Sequence, residues 1–64
     1  MRRPLVSVIT PAYNVAPYIA RCIESVQAQT LTDWEMVIVD DASTDDTVAV
    51  VERYLADPRI TLLR

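Results

Sequence analysis

Apolar residues change period several times along this chain, and each change marks an element. Residues 5–10 (Leu-Val-Ser-Val-Ile-Thr) form a short run rich in β-branched side chains, which predicts a strand buried on both faces. Pro11 closes it, because proline lacks a backbone donor and disfavours a helical residue before it. Pro11-Ala12-Tyr13-Asn14 then reads as a loop. Ile19, Cys22, Ile23 and Val26 stand at i, i+3, i+4 and i+7, one apolar stripe of a helix that fades near Gln29-Thr30. Pro17 suits its first turn, and Asn14 is a nearby capping residue. Residues 34–39 (Trp-Glu-Met-Val-Ile-Val) predict a second strand. Its last four positions are apolar without alternation, as when helices cover both faces of a parallel sheet. Ser43, with Asp46 three residues on, reads as the cap of a second helix whose buried stripe is Val48, Val51, Tyr54 and Leu55. Asp57-Pro58 stops it, and residues 60–63 (Ile-Thr-Leu-Leu) begin a third strand.

This order, βαβαβ, predicts an α/β fold: a parallel sheet with right-handed crossovers, Rossmann-like in pattern. No repeat, linker or low-complexity stretch interrupts it. At 64 residues a chain buries only about 60% of its unfolded surface, too little to enclose a full cleft with two substrates. The expectation is therefore an incomplete domain, residues 1–64 being the amino-terminal portion of a larger one. With 52% hydrophobic and 23% charged residues the composition is that of a folded core and not of a disordered tail. The formal charge of −3 includes six scattered arginines, which argues against nucleic acid as a partner. The single Cys22 has no cysteine or histidine companion for a disulfide or a zinc site, and reads as a small buried hydrophobe. No stretch approaches the roughly 20 apolar residues of a membrane span, and Pro11 ends the first apolar run too early for a signal peptide. A cytoplasmic location is expected, with membrane association through further sequence left open.

In an open parallel sheet, ligands bind outside the carboxyl ends of the strands. The first such end delivers Pro11, Ala12, Tyr13 and Asn14; the second delivers Asp40, Asp41, Ala42 and Ser43. Parallel neighbours set these loops side by side. The chain has no glycine, so neither a dinucleotide-binding glycine turn nor a phosphate loop is present. A base and ribose fit better: Tyr13 can stack on a nucleobase, and a carboxylate can accept from an imide N–H or a ribose hydroxyl. Two adjacent acids repel each other, and neither is needed to cap a helix that Ser43 already caps. Such a pair at a strand end points to a ligand or a cation.

Residues 6–14 (Val-Ser-Val-Ile-Thr-Pro-Ala-Tyr-Asn), then Tyr18-Ile19, residues 25–30 (Ser-Val-Gln-Ala-Gln-Thr), Trp34-Glu35 and residues 39–47 (Val-Asp-Asp-Ala-Ser-Thr-Asp-Asp-Thr) together resemble the opening of family 2 glycosyltransferases. The V-D-D-x-S-x-D-x-T signature of that family is met at every defined position. The resemblance implies the first half of a GT-A fold, which binds a nucleoside diphosphate sugar, most commonly a UDP-sugar, for inverting transfer to an acceptor hydroxyl. It implies that Tyr13 packs on the base, that Pro11 lines the same pocket, and that Asp41 accepts the base imide N–H. Asp40 then orients the loop or faces the ribose. It also implies a divalent cation, Mg or Mn, whose D-x-D ligands lie past Arg64 together with the catalytic base. No catalytic or metal-ligating residue is assigned in this chain.

Plainer readings stand beside these. Tyr13 could simply cover the sheet rim, and Asn14 suits a turn or cap better than a ligand contact. Ser43, Asp45 and Asp46 read as helix N-terminal residues, favoured there by the macrodipole. Trp34 reads as a packing residue, and Ser25 and Gln29 as structural polar residues. Two other functions compete. A receiver-like Mg-binding phosphoacceptor domain also carries an acidic pair, but after its first strand, and it needs a lysine that this chain lacks. A non-catalytic nucleotide-binding fragment is the other.

Overall fold

The computed structural model describes residues 6–30 and 32–64. The expected start of the first strand at Leu5 lies outside them. Strand β1 spans Val6–Ala12, helix α1 Ala16–Ala28, strand β2 Trp34–Asp40, helix α2 Thr47–Glu52 and strand β3 Ile60–Leu63. All three strands are parallel, in the order β1-β2-β3. Trp34 stands opposite Val6 at one end of the first pair and Asp40 opposite Ala12 at the other. β1 thus runs two residues beyond the predicted Thr10, and β2 takes in Asp40. Pro11 is accommodated because it lies on an edge strand, where a missing donor costs the ladder nothing.

Strands laid down in sequence order, each reached by a right-handed crossover, place both helices on the same face of the sheet. The core forms there. Trp34, Met36 and Ile38 of β2 pack with Ala12, Ile60, Ile19 and Ile23 of α1, and Val51 of α2. Ile23, Met36, Ile38 and Val51 are fully buried, each contributing about 1.5–3 kcal/mol of transfer free energy. The other face carries Ser7, Ile9 and Pro11 of β1, Glu35, Val37 and Val39 of β2, and Thr61 and Leu63 of β3, by the strand register. Ile9 is 63% exposed and Leu63 52%. This corrects the expectation that β1 is buried on both faces and that helices sandwich β2. The unbroken apolar runs are real, but among the described residues only one face finds a cover.

Helix α1 keeps the predicted stripe at Ile19 and Ile23, with Val26 half-buried, while Cys22 is exposed. The expected buried cysteine is therefore wrong: position 22 lies at the border of the stripe, facing an apolar groove. Pro17 sits in the first turn as predicted, but the cap residue is Val15, not Asn14. Helix α2 begins later than expected, with Asp46 in the cap position and no side-chain cap bond. Ser43 is drawn away by Asp40, which accepts its N–H and its hydroxyl. The helix also ends early. Arg53, Tyr54 and Leu55 donate three residues back, to Val50, Val51 and Glu52, tightening the last turn. Tyr54 remains half-buried against the core, but Leu55 is exposed, so half of the predicted end of the stripe is lost.

Trp34 packs in the core, as its reading required. Its ring lies 3.9 Å beneath the Arg59 guanidinium, and its indole N–H has no acceptor among the described residues. Arg59 forks onto Asp57 through Nε (3.0 Å) and Nη2 (2.9 Å) and donates to the Thr32 carbonyl. Gln27 of α1 also donates to Asp57. This cluster ties the helix α2 exit to the end of the sheet away from Asp40.

Candidate functional site

The register carries the ladder past the last paired residues. Ala12 stands opposite Asp40, and the Asp41 N–H donates to the Ala12 carbonyl at 2.9 Å. Tyr13 and Asp41, the next residues on each strand, therefore begin adjoining loops at the carboxyl edge of the sheet. The two aspartates differ in surroundings. Asp40 is 7% exposed and accepts from both the backbone N–H and the hydroxyl of Ser43. These contacts hold the start of the loop to the end of β2. Asp41 is exposed, and among the described residues its carboxylate has no hydrogen-bond partner. Tyr13 is 58% exposed, and Pro11 is exposed beside it. A free acid and a free ring stand at neighbouring strand ends.

Behind them the two loops are laced together by bonds that join residues about thirty apart. Asn14 has a φ of 50°, a conformation asparagine tolerates better than most residues. Its backbone N–H donates to Ser43 Oγ at 3.0 Å. Its Oδ1 accepts from the N–H groups of Thr44 (2.8 Å) and Asp45 (3.3 Å). Asp45 Oδ2 accepts from the Ala16 N–H, and Asp45 Oδ1 from the N–H and hydroxyl of Thr47. Thr47 Oγ1, fully buried, accepts from the Val15 N–H at 2.9 Å. The Thr47 hydroxyl foremost, opposed by burial and helped by the Thr47 and Ala16 N–H groups, holds the Asp45 carboxyl below its ordinary range.

Helix α1 is thus capped from the neighbouring loop and not by its own sequence. Val15 and Ala16 have acceptors on Thr47 and Asp45, Pro17 has no N–H, and Tyr18 and Ile19 both reach the Val15 carbonyl. With these donors occupied, the start of α1 is not an open phosphate cradle of the kind helix N-termini often form. Sequence reading assigned Ser43 and Asp45 to the start of α2 and gave Thr47 no role, so it missed this lacing. The signal for it was the spacing: Ser43, Asp45 and Thr47 alternate along one loop and present three acceptors in a row. Asn14, expected both as a turn residue and among the nucleotide-sugar contacts, has its amide oxygen turned into the loop.

A groove of about 200 Å³ runs beside the open edge of β1, lined by Thr10, Pro11, Val15, Tyr18, Ile19 and Cys22. Its walls are apolar, and neither Tyr13 nor Asp41 lines it. Among the described residues no group of three Asp, Glu, Cys or His side chains gathers to hold a metal ion. These residues do not compose a metal centre.

A parallel α/β sheet with a polar rim at its strand ends belongs to the open-sheet class, whose members bind ligands at that edge. The profile of Glycosyl transferase family 2 matches residues 7–64, and the chain belongs to that family. It is 49% identical over 63 residues to a chondroitin synthase of Escherichia coli, covering 97% of this chain and 9% of that protein. It is 46% identical over 63 residues to a hyaluronan synthase of Pasteurella multocida, covering 97% of this chain and 6% of that protein. Among solved structures, the mannosyltransferase PcManGT of Pyrobaculum calidifontis, in complex with GDP-Man and Mn2+, superposes with a TM-score of 0.83 at 38% identity. That match covers 98% of this chain and 20% of the mannosyltransferase. The chain therefore spans a small part of each. Family membership removes the receiver-like alternative, in which the acidic pair would close the first strand; here it closes the second.

Proposed function

We propose that this chain supplies the nucleotide-holding portion of a glycosyltransferase that moves a sugar from a nucleoside diphosphate donor to an acceptor hydroxyl, with inversion. The observation that carries the reading is the Asp41 carboxylate, exposed and unpartnered among the described residues, beside the exposed Tyr13 ring. Tyr13 and Pro11 pack on the base, and Asp41 accepts a ring N–H. Ala12, Asn14 and Asp40 shape the pocket from behind. Four carboxylates, at 40, 41, 45 and 46, stand at the end of β2 and in the loop that follows it. Such a rim suits base and ribose and repels a bare diphosphate, so a divalent cation beside the phosphates belongs to the same reading. A cytoplasmic location belongs to it too; among the described residues, no helix is long and apolar enough to cross a membrane.

A carboxylate selects bases by the ring position it faces. Uracil and guanine present an N–H there, whereas cytosine and adenine present a lone pair. UDP and GDP are therefore the favoured nucleotides, UDP by family habit and GDP by the mannosyltransferase ligand. Titrating UDP, GDP, CDP and ADP into wild type and Asp41→Ala tests this. A hydrogen bond to a charged group contributes about 1.5–3 kcal/mol, so Asp41→Ala is expected to weaken UDP or GDP binding by roughly tenfold or more. CDP and ADP should bind weakly to both proteins. Equal affinity of the two proteins for UDP and GDP would remove Asp41 from base recognition. The chain alone binds without turnover in this reading, since none of its residues is placed as the base that deprotonates the acceptor.

A further inference from the structure

Resting on that reading, we propose that Asn14 is a positioning residue for the nucleotide rim: it holds the Tyr13 loop and the Asp41 loop at a fixed spacing and does not itself contact the base. Three observations meet on it. Its left-handed backbone, at φ 50°, turns the chain directly after Tyr13. Its N–H is bound by Ser43, whose own hydroxyl is held by the buried Asp40. Its Oδ1 collects the N–H groups of Thr44 and Asp45 and, at 3.4 Å, the Thr44 hydroxyl. One residue thereby fastens three consecutive residues of the opposite loop, Ser43 through its backbone N–H and Thr44 and Asp45 through its side chain, next to the two residues that face the ligand. An acceptor shared by two backbone donors has little capacity left for a ligand. A ring and a carboxylate on separate loops grip one base only if their separation is set before binding, because ordering the loops would otherwise be deducted from affinity.

Two substitutions separate positioning from contact and from backbone conformation. Asn14→Gly keeps the left-handed backbone and deletes Oδ1. Asn14→Asp keeps both the backbone tolerance and the acceptor, replaces the amide NH₂ by a second oxygen, and adds a negative charge whose effect is screened by titrating at high salt. UDP and GDP are titrated into wild type, Asn14→Gly, Asn14→Asp and Asp41→Ala, and amide hydrogen exchange is followed at Thr44, Asp45 and the core residues Ile23 and Met36. Expected for Asn14→Gly is a roughly tenfold loss of affinity, the order of two weak hydrogen bonds, with faster exchange at Thr44 and Asp45 and unchanged exchange at Ile23 and Met36. Asn14→Asp is expected to bind within about threefold of wild type, since the acceptor it keeps is the group at work.

Unchanged exchange at Thr44 in Asn14→Gly would overturn the proposal whatever the affinities. Wild-type affinity in Asn14→Gly would overturn it while leaving the site in place. Equal losses in Asn14→Gly and Asn14→Asp would overturn it in favour of direct contact through the amide NH₂. Absence of UDP and GDP binding to wild type, or undiminished binding by Asp41→Ala, would instead bring down the site reading and this proposal with it.

Discussion

Asp57 looks in the sequence like a helix stop beside Pro58, yet its carboxylate accepts from Gln27, from the Arg59 backbone and from the Arg59 fork. The Arg59 side chain, above all, holds it well below the ordinary 3.8, against the opposing effect of burial. A carboxyl depressed in the folded state contributes stability that is complete above its unfolded value and is lost as pH falls through its folded value. Stability should therefore hold down to about pH 4 and decline below it, with Asp45 adding to the same acid limb. Asp57→Asn should lower the urea midpoint at pH 7 and flatten the decline between pH 4 and pH 2. Parallel acid limbs in the two proteins would exclude Asp57 as a source. None of this was legible from residue types alone, because Gln27 lies on α1 and the Arg59 fork, two residues on, depends on the turn that leads into β3. Cys22 was misjudged for a related reason: periodicity locates the stripe but not its borders.

Elements were the most legible scale. All five were expected in order, with β2 and β3 within a residue of their observed ends, because apolar period and proline punctuation are local signals. The boundaries that failed, at the start and end of α2, were those where one short-range bond displaces another. Ser43 is a capping residue by type, and Asp40 claims it. In the candidate site, the paired acids and the Tyr13 loop were placed at adjoining strand ends by topology alone, and the ladder bond from Asp41 to Ala12 agrees. Which acid is free, and that the remaining polar residues cap α1, could not be read without the fold. Thr47→Val tests the borrowed cap, since valine fills the same volume and deletes Oγ1. Leaving the part-buried Val15 N–H without its acceptor should cost about 1–3 kcal/mol in urea unfolding and speed amide exchange at Val15. A Val15 amide as protected as in wild type would rule the cap out.

At the scale of the molecule, the one-sided sheet dominates. Ile9, Val39 and Leu63 are exposed on the face away from both helices, and β1 and β3 are the strands at the sheet's two edges. An uncovered apolar face bounded by open edges favours association. The 64-residue chain is expected to show a scattering mass that rises with concentration across the micromolar range, and Ile9→Lys should reduce that rise. A monomer stable to concentration and indifferent to Ile9→Lys would contradict it. The sequence made the parallel order legible but hid the uncovered face, since an apolar strand run looks alike whether or not its second face is covered.

The borrowed cap also bears on how chains of this kind can diverge. Surface loops are ordinarily where related proteins gain and lose residues most freely. The turn between β2 and α2 has no such freedom, although most of it is exposed. Adding or removing one residue between Asp41 and Thr47 would shift Ser43, Asp45 and Thr47 out of step with Asn14, Ala16 and Val15, and the first turn of α1 would lose its acceptors. The length of one loop is thus set by the needs of a helix that begins some thirty residues earlier.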